Sequence, residues 1–135
     1  METRSISLVQ ISFEDVVLLG EKVTEIFYDE LFAIEPGLKK MFKGDMAEQR
    51  RKLLTTLALV VRSLHEPQRM MEPMKALAKR HVGYGVEPSH YTYVGNALIR
   101  TLQKGLGDRF TPELQQAWVE AYTMIANIMK SAAYG

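Results

Sequence analysis

Apolar residues in this chain recur at helical spacing almost from end to end, and the pattern breaks only where glycine or proline interrupts it. Strands would require alternation with a period of two, so the expected fold class is all-α. A first helix is predicted over residues 5 to about 19, and a second starts near Gly20 and ends at Phe32, with Val23, Phe27 and Leu31 on one face. Glu35-Pro36-Gly37 stops it, since proline withholds an amide donor and glycine tolerates turns. A short helical piece over 38–42 follows, and Asp45 is a candidate N-cap for a long helix over 46–64 with the stripe Gln49, Leu53, Leu57, Val60 and Leu64. Pro67 and Pro73 bracket another start, and the helix after them, 74–81, aligns Met74, Leu77 and His81. Pro88-Ser89 suits the first turn of the next helix, whose inner face is Tyr91, Val94, Leu98 and Leu102, with 105–110 as its exit loop. Thr111-Pro112 opens the last helix as N-cap and first residue, and Leu114, Trp118, Tyr122, Ile125 and Met129 form its stripe.

Bulk properties narrow the function. A chain of 135 residues is expected to form one domain, 1–135, around one core. Net charge is +1, from 17 basic and 16 acidic residues spread along the sequence, so neither nucleic acid nor an acidic membrane is indicated as a partner. The absence of cysteine removes disulfides, thiolate nucleophiles, iron–sulfur clusters, cysteine zinc sites and thioether attachment of a haem. The amino terminus leads into no apolar signal core, and no run reaches the ~18 apolar residues of a membrane span. A cytoplasmic protein is expected.

Three polar residues fall on apolar faces. Gln49 shares its face with Leu53 and Leu57, Tyr28 adjoins Phe27 on a broadly apolar helix, and His81 ends the stripe of Met74 and Leu77 just before the backbone turns. Each has an ordinary explanation: Gln49 at the wet start of its helix, Tyr28 filling core volume, His81 as a hydrogen-bonded structural residue. Each also has a functional one, because burying such a tip without a partner costs about 1–3 kcal/mol, which a ligand or ordered water would offset. His65 lies in a polar helix exit and His90 in a first turn, so both are assigned surface roles.

Taken together, these residues resemble the globins, and more closely the single-domain bacterial globins and the haem domain of flavohaemoglobins. The resemblance covers about residues 8–129. Its most specific stretch is His81-Val82-Gly83-Tyr84-Gly85-Val86 followed by Tyr91 and Val94-Gly95, similar to the family's proximal pattern. Phe27 to Phe32 with Glu35-Pro36 resembles the second helix and its corner, and Met41-Phe42-Lys43-Gly44-Asp45 followed by Gln49 resembles the turn under the haem edge and the start of the distal helix.

The resemblance implies a globin fold, a helical sandwich around a haem pocket, holding haem b (iron protoporphyrin IX) without a covalent bond. It makes His81 the iron ligand, with the other ring nitrogen donating to a carbonyl or side chain. Tyr28 and Gln49 match the distal pair that donates to a diatomic ligand. Phe42 would lie against the haem edge, Leu53 would crowd the distal side, Leu77 and Val86 would line the proximal side, and Lys52 and Arg80 would reach the propionates. O2, NO and CO are the implied small ligands. Two departures bear on chemistry. Flavohaemoglobins join the proximal histidine to a tyrosine and a glutamate; the tyrosine is Tyr91, but the glutamate's place holds Ala133, with Glu120 at a different helical phase. The sequence given also stops at Gly135, without flavin and nicotinamide domains, so a catalytic cycle would need an external reductase. Reversible O2 binding for storage or delivery is the leading expectation. NO dioxygenation to nitrate and gas sensing are the alternatives, and the oligomeric state is left open.

Overall fold

Six α-helices joined by short turns make up the chain, described over residues 1–135 in a computed structural model. They are α1 (Thr3–Leu19), α2 (Glu21–Ile34), α3 (Met46–Arg62), α4 (Gln68–Gly83), α5 (His90–Leu106) and α6 (Pro112–Tyr134), with 3-10 turns at Pro36–Met41 and Gly107–Arg109. There is no strand, as the periodicity requires. The two expected N-caps are made: Asp45 Oδ1 accepts from the Ala47 N–H at 2.9 Å, and Thr111 Oγ1 accepts from the Leu114 N–H at 3.2 Å.

The largest departure from the sequence expectation is at α4, which starts at Gln68 rather than at residue 74 and carries Pro73 inside it. Local preference opposes this, because the proline ring crowds the preceding turn and supplies no donor. Packing overrides it: Met70 and Met74 lie one turn apart on either side of Pro73 and are 0% and 2% exposed, so the helix is held across the proline by its buried face. Helix α5 likewise runs through Gly105 to Leu106, where an exit loop was expected, because Leu106 is buried in the core.

The architecture follows from which faces are apolar. Helix α2 packs on α5, α4 on α6, and α1 on both α5 and α6, while α3 rests on α1 and α2. Phe13 and Val16 of α1, Phe27 and Leu31 of α2, and Leu114 and Trp118 of α6 meet in one core. Full burial of each such side chain contributes about 1.5–3 kcal/mol. A chain of hydrogen bonds crosses the core: Trp118 Nε1 donates to Ser12 Oγ at 2.9 Å, and that hydroxyl donates to the Val9 carbonyl, joining α6 to α1. Glu30, only 8% exposed, binds α2 to α5 through Lys104 and, at 3.8 Å, Arg100.

Gly95 shows how tightly α5 and α6 approach. A Cβ at this position would lie 2.7 Å from Cε2 of Tyr122, and that ring cannot swing aside, because Tyr122 Oη donates to the Tyr91 carbonyl at 2.6 Å. Gly95→Ala gains about 1 kcal/mol of helix propensity and loses about 1–3 kcal/mol to overpacking. Net destabilisation is expected in denaturant titration, and a more stable variant would show that the contact between α5 and α6 is loose.

Candidate functional site

Tyr28 is held by aromatic neighbours from its own helix and from the turn after it. Its ring packs edge-on against Phe27 (centroids 5.1 Å apart) and Phe42 (5.4 Å), and tilted against Phe32 at 6.0 Å. Phe42 also meets Phe32 at 5.5 Å, so the 3-10 turn and α2 fix one another around the phenol. The Tyr28 hydroxyl donates to the main-chain carbonyl of Gln49 at 3.4 Å, which is long for an O–H···O bond. Most of its donor capacity therefore stays free. Gln49 meets Tyr28 through its backbone, and its half-buried side-chain amide is a separate donor at the start of α3.

A recess of about 360 Å³ opens beside this tyrosine, lined by Glu25, Asp29, Phe32, Lys39, Met46 and Arg50 as well as by Tyr28 itself. Burial pushes the Tyr28 phenol up to about 12, with the Arg50 cation acting in the opposite sense. Arg50 is the residue that sequence reasoning missed here. It sits next to Gln49 on α3, and its Nε is enclosed without a hydrogen-bond partner. A long cation one residue from a singled-out position reads in sequence as a solvated helix face.

His81 lies in the last turn of α4 and is half-buried. Its Nδ1 is enclosed with no hydrogen-bond partner. Burial lowers the pKa of the ring; the Leu77 carbonyl one turn back, outside bonding geometry, opposes this, and the Arg80 charge reinforces it. Burial thus favours the neutral imidazole, the form that ligates a metal. The chain then turns sharply: Gly85 takes φ +88°, a region L side chains rarely adopt, and the Val86 N–H returns to the His81 carbonyl at 3.0 Å. No group of three or more histidine, cysteine, aspartate or glutamate side chains is placed to hold a metal ion. A metal at His81 would have to arrive with its other ligands.

The remaining predicted residues divide by exposure. Leu53, Leu77 and Val86 are half-buried at the edge of the core, and Tyr91 is buried with its hydroxyl enclosed and unpartnered. Lys52 is exposed and pairs with Glu48 at 3.5 Å, whereas Arg80 is exposed without a carboxylate. Ala133 offers Tyr91 no acceptor, and the phenols nearby are Tyr122 and Tyr134. Of the other histidines, His65 is exposed beside Gln10, and His90 accepts from the Glu87 N–H at 3.1 Å as a helix-start cap.

Helices α3 and α4, which carry Gln49 and His81, pack on other partners and make at most marginal contact with each other. Along α3, Val60 and Val61 are buried, while Leu53, Leu54 and Leu57, nearer Gln49, are only half covered. Along α4, Met74 and Ala78 are buried while Leu77 and His81 are not. The chain leaves apolar surface uncovered on both helices towards their site-bearing ends. A flat apolar group with a metal at its centre fits these features: surface for its faces, and one neutral imidazole for its metal.

The globin family model matches residues 25–129. This chain belongs to the globin family. A flavohemoprotein of Xylella fastidiosa is 33% identical over 116 residues, which are 82% of this globin and 28% of that protein. The chain therefore spans less than a third of that relative's length. A bacterial globin from Campylobacter jejuni shares the fold with a TM-score of 0.86 at 24% identity, covering 98% of this chain and 96% of that one. The flavohemoglobin of Malassezia yamatoensis, solved with bound FAD and heme, gives a TM-score of 0.84 at 25% identity over 98% of this globin and 36% of that chain. The all-α globin fold expected from sequence is the fold found. No helix is long and apolar enough to cross a membrane.

The shielding of Tyr28 can be measured. The unfolded chain releases the phenolic proton near pH 10, and the folded chain holds it to about 12. The contribution to stability is intact below the lower value and lost as pH rises through the upper one, a total of about 2–3 kcal/mol. Ultraviolet titration should show Tyr28 ionising well after the exposed tyrosines, together with Tyr122 and Tyr91, which burial also pushes up, and Tyr28→Phe should shrink that late step by one tyrosine. A late step of unchanged amplitude in Tyr28→Phe, with the loss falling on the early one, would place Tyr28 in water.

Proposed function

We propose that this globin binds haem b without covalent attachment and uses it to bind O2 reversibly, with NO and CO as further ligands. The observation that carries this is the pairing of the half-buried His81 imidazole, whose neutral form burial favours, with uncovered apolar surface on α3 and α4. When bound, the haem supplies an iron at which a diatomic molecule coordinates; the chain decides which molecule stays and for how long.

In this reading His81 would hold the iron, and the neutral Gln49 amide, a poor iron ligand, would leave it free to take a diatomic molecule. Tyr28 cannot compete for the iron either, since burial keeps its proton on up to a pKa of about 12. Its spare donor capacity instead serves a polar diatomic ligand, and the Gln49 amide is a second donor nearby. Such bonds contribute about 1–3 kcal/mol each where the acceptor carries partial charge. Phe42 and Leu53 fill the distal edge, Leu77 and Val86 the proximal one, and Tyr91 lies behind them. Arg80, free of any carboxylate, is the better candidate for a propionate; Lys52 would first have to leave Glu48.

Ligand binding is favoured over NO dioxygenation with an external reductase by Tyr91 and Ala133. With an alanine at 133 and no acceptor for the Tyr91 hydroxyl, nothing on this side draws the proton of His81 toward a carboxylate, which is what makes a histidine more electron-donating. Cytoplasmic residence belongs to the same proposal.

Tyr28→Phe tests the assignment of the distal donor. Loss of a bond worth about 1.4 kcal/mol raises the O2 release rate roughly tenfold, while CO release, from a less polar ligand, should change far less. Equal acceleration for both gases would assign Tyr28 a steric role.

A further inference from the structure

The last turn of α6 reaches the segment that carries His81. Tyr134 Oη donates to the Val86 carbonyl at 2.5 Å, and the Val86 N–H donates to the His81 carbonyl at 3.0 Å. Tyr134 is thus two hydrogen bonds from the peptide of the histidine. The link crosses a weak point, because between Val86 and His81 the chain passes through Gly83 and Gly85 and the exposed Tyr84, and makes its turn at the positive φ of Gly85. Residues 83–85 contribute no buried side chain that would hold them in place.

We propose that Tyr134 is a positioning residue for His81: by clamping the Val86 peptide it fixes the loop between α4 and α5, and with it the direction of the imidazole. The inference rests on the reading of His81 as the haem ligand. Its physical basis is that α6 is the one long element packed along α4, so a bond from its end to the far side of the loop closes a ring of structure around the histidine. Tyr122 closes the next span in the same way, donating to the Tyr91 carbonyl at 2.6 Å at the start of α5. Two phenols of α6 thereby hold the backbone on the α5 side of the turn. Ala133, one residue before Tyr134, has no side chain able to do this.

The test compares the haem-loaded chain with Tyr134→Phe, which keeps the ring and removes only the hydroxyl at an exposed position. Two signals are read: the iron–histidine stretching band of the ferrous form by resonance Raman, and amide hydrogen exchange at Val86. The expected result is a broadened and shifted band together with Val86 exchange faster by roughly fivefold, the factor for one such hydrogen bond. A band and an exchange rate identical to those of the parent chain would overturn the positioning role while leaving haem ligation by His81 intact. Faster exchange with an unchanged band would also overturn it, showing that the loop is clamped but the ring is not. Absence of any iron–histidine band in the parent chain would instead remove the reading on which the inference rests, and the inference with it.

Discussion

An imidazole with one ring nitrogen enclosed and unbonded is a costly arrangement, and the candidate site is organised around it. An enclosed polar atom without a partner costs about 1–3 kcal/mol, and His81 Nδ1 is such an atom. Apolar residues on the two helices are also incompletely covered: Leu77 on α4 and Leu53, Leu54 and Leu57 on α3 are only half-buried, although Met74 and Ala78 on α4 and Val60 and Val61 on α3 are buried. One flat apolar group carrying a metal would cover that apolar surface and take the ring nitrogen that is not enclosed, which is why site and fold are here the same question. Helix α3 is held by α1 and α2 and α4 by α6, and the two site-bearing helices make at most marginal contact with each other.

The distal side is organised differently. Tyr28 is fixed by three phenylalanine rings, two of them from its own helix and one from the turn after it, so the phenol is positioned without spending its proton on a strong bond. Pre-positioning of a donor in a shielded place is what lets one hydroxyl distinguish a polar ligand from a less polar one. Burial and the Arg50 charge act on it in opposite directions, and burial prevails.

Much of this was legible in sequence, for a definable reason. Stripes at i, i+3 and i+4 located the helices, and Asp45 and Thr111 marked two helix starts, because periodicity and capping are local chemistry. The polar exceptions Tyr28, Gln49 and His81 stood out against those stripes. Pro73 misled, since the force that keeps α4 continuous across it comes from Met70 and Met74 packing against other helices, and propensity does not report tertiary burial. Arg50 and Tyr134 were invisible for the opposite reason: their surroundings are built by residues distant in the chain, Glu25 and Asp29 on α2 in one case and Val86 in the other. The Gln49 carbonyl as partner of Tyr28 could not have been foreseen either, because a main-chain acceptor leaves no trace in side-chain identity.

Absorption spectroscopy during titration of haem into the purified globin tests the central claim most directly. If His81 ligates the iron of a haem held against the uncovered faces of α3 and α4, the intense Soret band should grow until haem and chain are equimolar and then level off. The ferrous form should be five-coordinate, and His81→Ala should lose the tight phase of the titration. No saturation, or a His81→Ala variant that titrates and absorbs as the parent does, would contradict it.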